Sequence, residues 1–452
     1  MIELLNRPHV PTFLKSQFAA LARDHQVCGA QLVIQHDDET VAIEVGEIQH
    51  GGGRPVTRDT AFPIGSVTKS FTATLAMTLV ADGDLDLDEP LGGHLPELGE
   101  LGHRLTLRHL LSHTAGFACG PDSTEVATSS PRRYITDHCG RQNLVLPPGA
   151  GFSYSNMGYV IAGRLVEVIT GMSWTEAMAS ILLRPLGIAP SFICPVAGRP
   201  SGRPIATGHS VNLALGRTQP VQQSLAPPEA PAGALAMSAM DLVALGRTHV
   251  PPGVPGLLPP GLAVQMRRPV PAANPFGLAD GWGLGFAVFR DEATEWIGHD
   301  GNADGTSCYL RVDPVDGWIV ALTTNTSSGI GLWRELGAQL ADAGIPIPGD
   351  GSPAAAAPPA VAPPDCVGVY ANGDSEFVVT GSDGCFSLAV DGSDFMVLAS
   401  ADGLTFSLME HSSGQRLPGG RFQRDPDTGE INGIQVNGRL ARRRPYVPAM
   451  SR

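Results

Sequence analysis

"FPIGSVTKSFTATLAMTLVAD", Phe62–Asp82, decides the fold of this chain. Lys69 is its only charged residue before the closing Asp82, and one of two lysines in a chain with 28 arginines. Gly65 permits a tight entry and the helical pattern starts at Ser66. Ser66 and Lys69 stand one turn apart, so they share a face. A serine at a helix start has free backbone N–H groups nearby and a dipole that favours developing negative charge. A buried ammonium costs several kcal/mol unless it is paired or neutralised. A lysine kept neutral could take the Ser66 Oγ proton and make the oxygen a nucleophile. The plainer reading is a capping serine beside a snorkelling lysine.

The 452 residues, 42% hydrophobic, exceed one small domain and supply a large core. A net charge of −14 speaks against nucleic acid or an anionic membrane as partner. Seven scattered cysteines without a CxxC pair suggest a reducing compartment. With no basic-then-apolar leader and no clean membrane span, the expectation is a cytoplasmic protein.

Helical periodicity marks 11–25, 66–81, 107–112, 157–170, 174–183, 239–246 and 330–343. Residues 29–47 read as a hairpin turning at Asp37-Asp38. Residues 294–300, 306–313 and 318–325 read as successive strands. An early hairpin and late strands around a helical middle predict an α+β fold, one antiparallel sheet built from both ends with a helical region inserted. The Pro/Ala-rich run from 346 to 365 reads as a linker. The expected division is a catalytic domain over 1–345, the linker, and a small β domain over 366–452, where turn signals recur between short strands.

Two further motifs carry chemistry. Tyr154-Ser155-Asn156 precedes a helix, where Asn156 would serve as its cap. His299-Asp300-Gly301 ends a strand, where a polar turn is the plain reading. Ser-x-x-Lys, then Tyr-x-Asn, then His-x-Gly, in this order, resembles the penicillin-recognising serine enzymes: class C β-lactamases, low-molecular-weight penicillin-binding proteins, D-aminopeptidases and family VIII esterases. "TLRHLLSHTAGF" (106–117) resembles a stretch these proteins carry between the first two motifs. The resemblance spans residues 10–344, and the C-terminal segment resembles the lipocalin-like barrel of some members.

The resemblance implies a serine β-lactamase-like sheet with a helical domain. It implies Ser66 as acylated nucleophile, Lys69 as base, and Tyr154 as proton shuttle. Asn156 would bind the substrate amide and fix Lys69. His299 would stand where most members have the Lys of Lys-Thr-Gly, with Gly301 beside it. The backbone N–H groups of Ser66 and Asn302 would form the oxyanion hole. A largely neutral His299 is a poor partner for a β-lactam carboxylate. No cofactor and no metal are implied. His109 and His113, four apart on a helix, could face a metal but lack a third ligand nearby. "GWGLGF" (281–286) reads as a strand, not a nucleotide loop, and "RLARRR" (439–444) as a solvated end strand or a patch for an acidic partner.

Among members the chain is most similar to the penicillin-binding-protein-type thioesterases that macrocyclise nonribosomal peptides. They join a D-configured or Gly C-terminal acyl group to the peptide's own N-terminal amine. The implied substrate is a peptidyl thioester, presented by a carrier protein of a peptide synthetase. The alternatives are a family VIII-type esterase, a D-aminopeptidase or an amide-forming transacylase. A non-enzymatic scaffold is a fourth, disfavoured because serine, lysine and tyrosine are all present.

Overall fold

The computed structural model describes residues 10–194, 202–212, 215–291, 294–345, 347–348, 361–382, 385–400, 402–411 and 416–444. Most of the expected linker, 346 and 349–360, lies outside the described residues.

The early hairpin is β1 (Gly29–His36) and β2 (Glu39–Gly46), turning at Asp37 with φ 51°. Positive φ is what a tight hairpin turn needs, and Asp tolerates it. Five strands follow late in the chain: β3 (Gly281–Trp282), β4 (Ala287–Arg290), β5 (Glu295–Ala303), β6 (Thr306–Val312) and β7 (Trp318–Thr324). They join one antiparallel sheet in the order β2-β1-β7-β6-β5-β4-β3. Val33 lies opposite Ala321, so the two ends of the domain meet at the sheet centre. The expected α+β sheet is therefore present.

Central strands β1, β6 and β7 are buried on both faces. One face packs α1 (Val10–Asp24) and the late helix α4 (Gly329–Asp342), with Phe18, Leu332, Trp333 and Leu336 against Leu32, Tyr309 and Leu322. The other face packs the helical region around α2 (Thr68–Asp82) and α3 (Asn156–Thr170).

α2 is buried on every side through its first twelve residues. Such a helix is a core helix, and its hydroxyls must find partners inside. Ser70 donates to the Gly285 carbonyl, Thr72 to Pro231, Thr74 to Ser70 and Thr78 to Thr74. The helix stops at Gly83, left-handed at φ 81°, where the amides of Gly83 and Asp84 turn back on Val80 and Leu79.

The C-terminal segment forms a closed eight-stranded antiparallel barrel from β8 (Gly368–Asn372) to β15 (Arg439–Arg443), with β8 pairing β15. It has its own core, including Tyr370, Phe377, Phe406, Phe422 and Ile434. It docks by defined bonds. The Tyr154 amide donates to the Gly438 carbonyl at 3.0 Å, and Cys119 N to Asn372 Oδ1 at 2.7 Å. Arg442 Nε donates to the Val145 carbonyl, and Gln435 to that of Asn274. Among the described residues no helix is long and apolar enough to cross a membrane.

Candidate active site

Ser66 lies in a single 3-10 turn, Gly65–Val67, that leads into α2. The helix proper begins at Thr68, two residues later than the pattern suggested. Gly65 takes φ +49°, and a Cβ there would stand 2.3 Å from the Asn302 carbonyl oxygen. A Cβ on Gly301 would stand 2.0 Å from the Ile64 carbonyl oxygen. Two glycines therefore let the serine turn lie directly on strand β5. That contact brings the backbone of Ser66 beside that of Asn302.

Lys69 is fully buried. Its Nζ is 3.0 Å from Ser66 Oγ and donates to the Ala232 carbonyl at 2.9 Å. Burial first, then the positive charge of Arg439, lower its pKa to about 7, opposed by Glu229. The amine is thus half neutral near pH 7, which a base requires. Burial raises the Tyr154 phenol above the ordinary tyrosine value, opposed by its interaction with the nearby Ser66 hydroxyl. Tyr154 is a proton-bearing phenol at neutral pH, able to give one proton while receiving another.

His299, 2% exposed, puts Nδ1 2.7 Å from the Asp300 carbonyl. Burial, then Lys69, pushes its pKa down to about 3, so it is a neutral imidazole and not the cation of a Lys-Thr-Gly motif. Trp282 meets His299 edge to face at 5.2 Å. His113 tilts against Tyr154 at 4.2 Å and accepts from the Ser155 amide.

Asn156 opens α3, but Ser155 is its cap, accepting from Met157 N. Lys69 is held by Ser66 and Ala232; among the described residues no hydrogen bond joins it to Asn156. His113 lies beyond the end of its helix (Leu107–Leu111), with φ 55°, while His109 closes a capping box with Thr106. The two histidines share no helical face. Among the described residues no His/Cys/Asp/Glu cluster suits a metal ion.

A cavity of about 820 Å3 opens from Ser66, Tyr154, His299 and Asn302. Its far wall is the barrel: Phe377, Val390, Phe395, Leu408, Leu417 and Val436. Arg439, at the start of β15, also lines it. The reading of "RLARRR" as a solvated end strand holds for the exposed Arg439 and Arg444 but leaves out what the strand contacts. Arg439 enters the cavity, Arg442 binds Val145 across the interface, and Arg444 pairs with Glu376. Barrel closure turned one edge of that strand toward the catalytic body. Ala232, Glu229 and Arg439 were missed, because a carbonyl and two remote charges leave no local motif.

A family profile described as Beta-lactamase matches residues 14–345. Penicillin-binding protein 4 of Amycolatopsis lactamdurans is 34% identical over 349 residues, 74% of this chain and 91% of that protein. Esterase EstB of Burkholderia gladioli is 28% identical, over 70% of this chain and 90% of its own. The crystal structure of SurE matches with TM-score 0.85 at 40% identity, covering 96% of this chain and 99% of the other. SurE with D-Leu matches at 0.83 and 39% identity.

Proposed function

The chain belongs to the β-lactamase and penicillin-binding-protein family of serine enzymes, and from that premise we propose that it is a stand-alone thioesterase that releases and macrocyclises a peptide. The catalytic unit is 1–345, the linker 346–365 and the accessory barrel 366–452. A peptidyl thioester with a D-configured or Gly C-terminal residue acylates Ser66. The peptide's own N-terminal amine then closes the ring. The observation that carries this reading is the cavity walled by the barrel, because both domains, not the catalytic body alone, are shared with SurE. The D-Leu in the second SurE structure supports a D-configured donor.

Neutral Lys69 takes the Ser66 proton as Oγ attacks the thioester carbonyl, and the oxyanion meets the N–H groups of Ser66 and Asn302. The C–S bond breaks and the thiol leaves with a proton relayed through Tyr154. In the second half the amine nitrogen bonds the acyl carbon. Tyr154 receives its proton while giving its own to Ser66 Oγ, and the C–Oγ bond breaks. An intramolecular amine held over the ester has a high effective concentration, and the barrel wall limits water. Asn156 and the neutral His299 bind the peptide. In the cell the donor arrives on a carrier protein in the cytoplasm.

The test uses linear peptidyl N-acetylcysteamine thioesters ending in a D- or an L-residue. The D-form is expected to give mainly cyclic product and the L-form little turnover, with no product from Ser66→Ala. Free acid alone from both favours the second reading, an esterase-like hydrolase, which the likeness to EstB supports.

A further inference from the structure

Asp300 follows His299 on β5, lines the same cavity, and is 26% exposed at its side chain. The mechanism above does not use it. Its Oδ1 accepts from Arg311 Nη1 at 2.5 Å. Arg311 is wholly buried on the neighbouring strand β6, with its guanidinium 3.7 Å over the Phe289 ring. A buried guanidinium needs a counter-charge, and Asp300 supplies it. That bond fixes the carboxylate in place while its other oxygen is left for the cavity.

Among the described residues lining the cavity, Asp300 carries the one carboxylate; Arg334 and Arg439 are cations, and His299 is neutral. A cationic group entering the cavity is repelled by two arginines and has one place to go. Side chains two apart on a strand share a side, about 7 Å along it. Asp300 therefore shares its side of β5 with the Asn302 side chain and with Tyr309 directly opposite on β6, while His299 points to the other side. Asp300 and Ser66 line one cavity, and the Asp300 charge reaches Tyr154, whose phenol it helps burial to raise.

We propose that Asp300 is the docking residue for a substrate ammonium, held there before it loses a proton and attacks the acyl serine. The inference rests on the amide-forming reading for its purpose, but not for its test. The ammonium has two sources, the peptide's α-amine or a basic side chain. The site favours the α-amine, since the cavity that holds Asp300 also opens on Ser66, where the amine must react.

The test compares three thioesters of one peptide with the full-length enzyme: free α-amine, N-acetylated, and N-acetylated with an internal lysine. The readout is kcat/KM for thioester consumed, whether the product is ring or acid. Wild type is expected to use the free-amine peptide roughly tenfold better than the acetylated one, mainly through KM. Asp300→Asn keeps an oxygen for Arg311 and removes the charge, and should bring that ratio near one. Asp300→Glu should recover part of it. Because each preparation is read as a ratio against its own acetylated substrate, partial misfolding cancels. Preference for the lysine peptide over the free amine, lost in Asp300→Asn, supports the ammonium site and moves its source to a side chain. No preference in wild type, or a preference that survives in Asp300→Asn, overturns the proposal. A ring-free product mixture with the ratio intact would sink cyclisation and leave the ammonium site standing.

Discussion

Lys69 has the ordinary lysine range taken from it by burial, and both function and stability follow. Its pKa of about 7 predicts that kcat/KM falls about tenfold per pH unit below that value, because the protonated form is no base. Arginine stays protonated in proteins, so Lys69→Arg should lose activity nearly as completely as Lys69→Ala. Near-normal turnover in the arginine variant would mean the side chain supplies only charge. The same shift is a stability statement. The folded chain holds this proton more weakly than the unfolded chain, whose lysine titrates near 10.5. Between about 7 and 10.5 the unfolded state binds the extra proton, so this group's contribution rises with pH. Lys69→Met should flatten that rise, read as Tm against pH. The charge-free run already announced an unusual lysine. The Ala232 carbonyl that holds it was invisible, being a backbone group from a distant segment.

At the scale of elements, the site depends on how closely the serine turn can lie on β5. Gly301→Ala would set a methyl 2.0 Å from the Ile64 carbonyl oxygen, a backbone atom that cannot rotate away. The expected cost is about 1–3 kcal/mol for overpacking, together with a loss of kcat from separating the N–H groups of Ser66 and Asn302. A variant with unchanged kcat and Tm would show that the strand and turn can part without harm. The hairpin, the late strands and the main helices were legible because each is a local periodicity with local punctuation. The start of α2 was misplaced by two residues, because a 3-10 turn and a helix share their sequence preferences. The pairing of His109 with His113 on a helix failed because the helix ends at Leu111 and His113 turns left-handed.

For the whole molecule, the barrel walls the cavity that opens on Ser66. Arg439 lines the cavity and its charge lowers the Lys69 pKa. Arg439→Ala should therefore raise that pKa and move the acid limb of kcat/KM to higher pH. A limb that stays in place would show the guanidinium to be electrically remote from Lys69. A small β domain was readable from turn spacing and its barrel from the family resemblance, but its docking from neither. The Asn437-Gly438 turn meets the Tyr154 backbone through a single bond between residues 284 positions apart, Tyr154 N to Gly438 O.

The sequence by itself singled out Ser66, Lys69, Tyr154 and the His299 motif as the candidate site, because each motif is a short local pattern and their order resembles one enzyme family. It also determined the α+β order and a small β domain, since alternation and turn residues are local. Only the tertiary structure decided which charges surround Lys69, which carbonyl holds it, where Asp300 faces, and that Arg439 belongs to the site. Those are distances between segments far apart in the chain, set by packing of the barrel against the catalytic body and by two glycines that allow close approach. A pKa depends on such distances through burial and Coulomb interaction, so no reading of spacing along the chain could supply it.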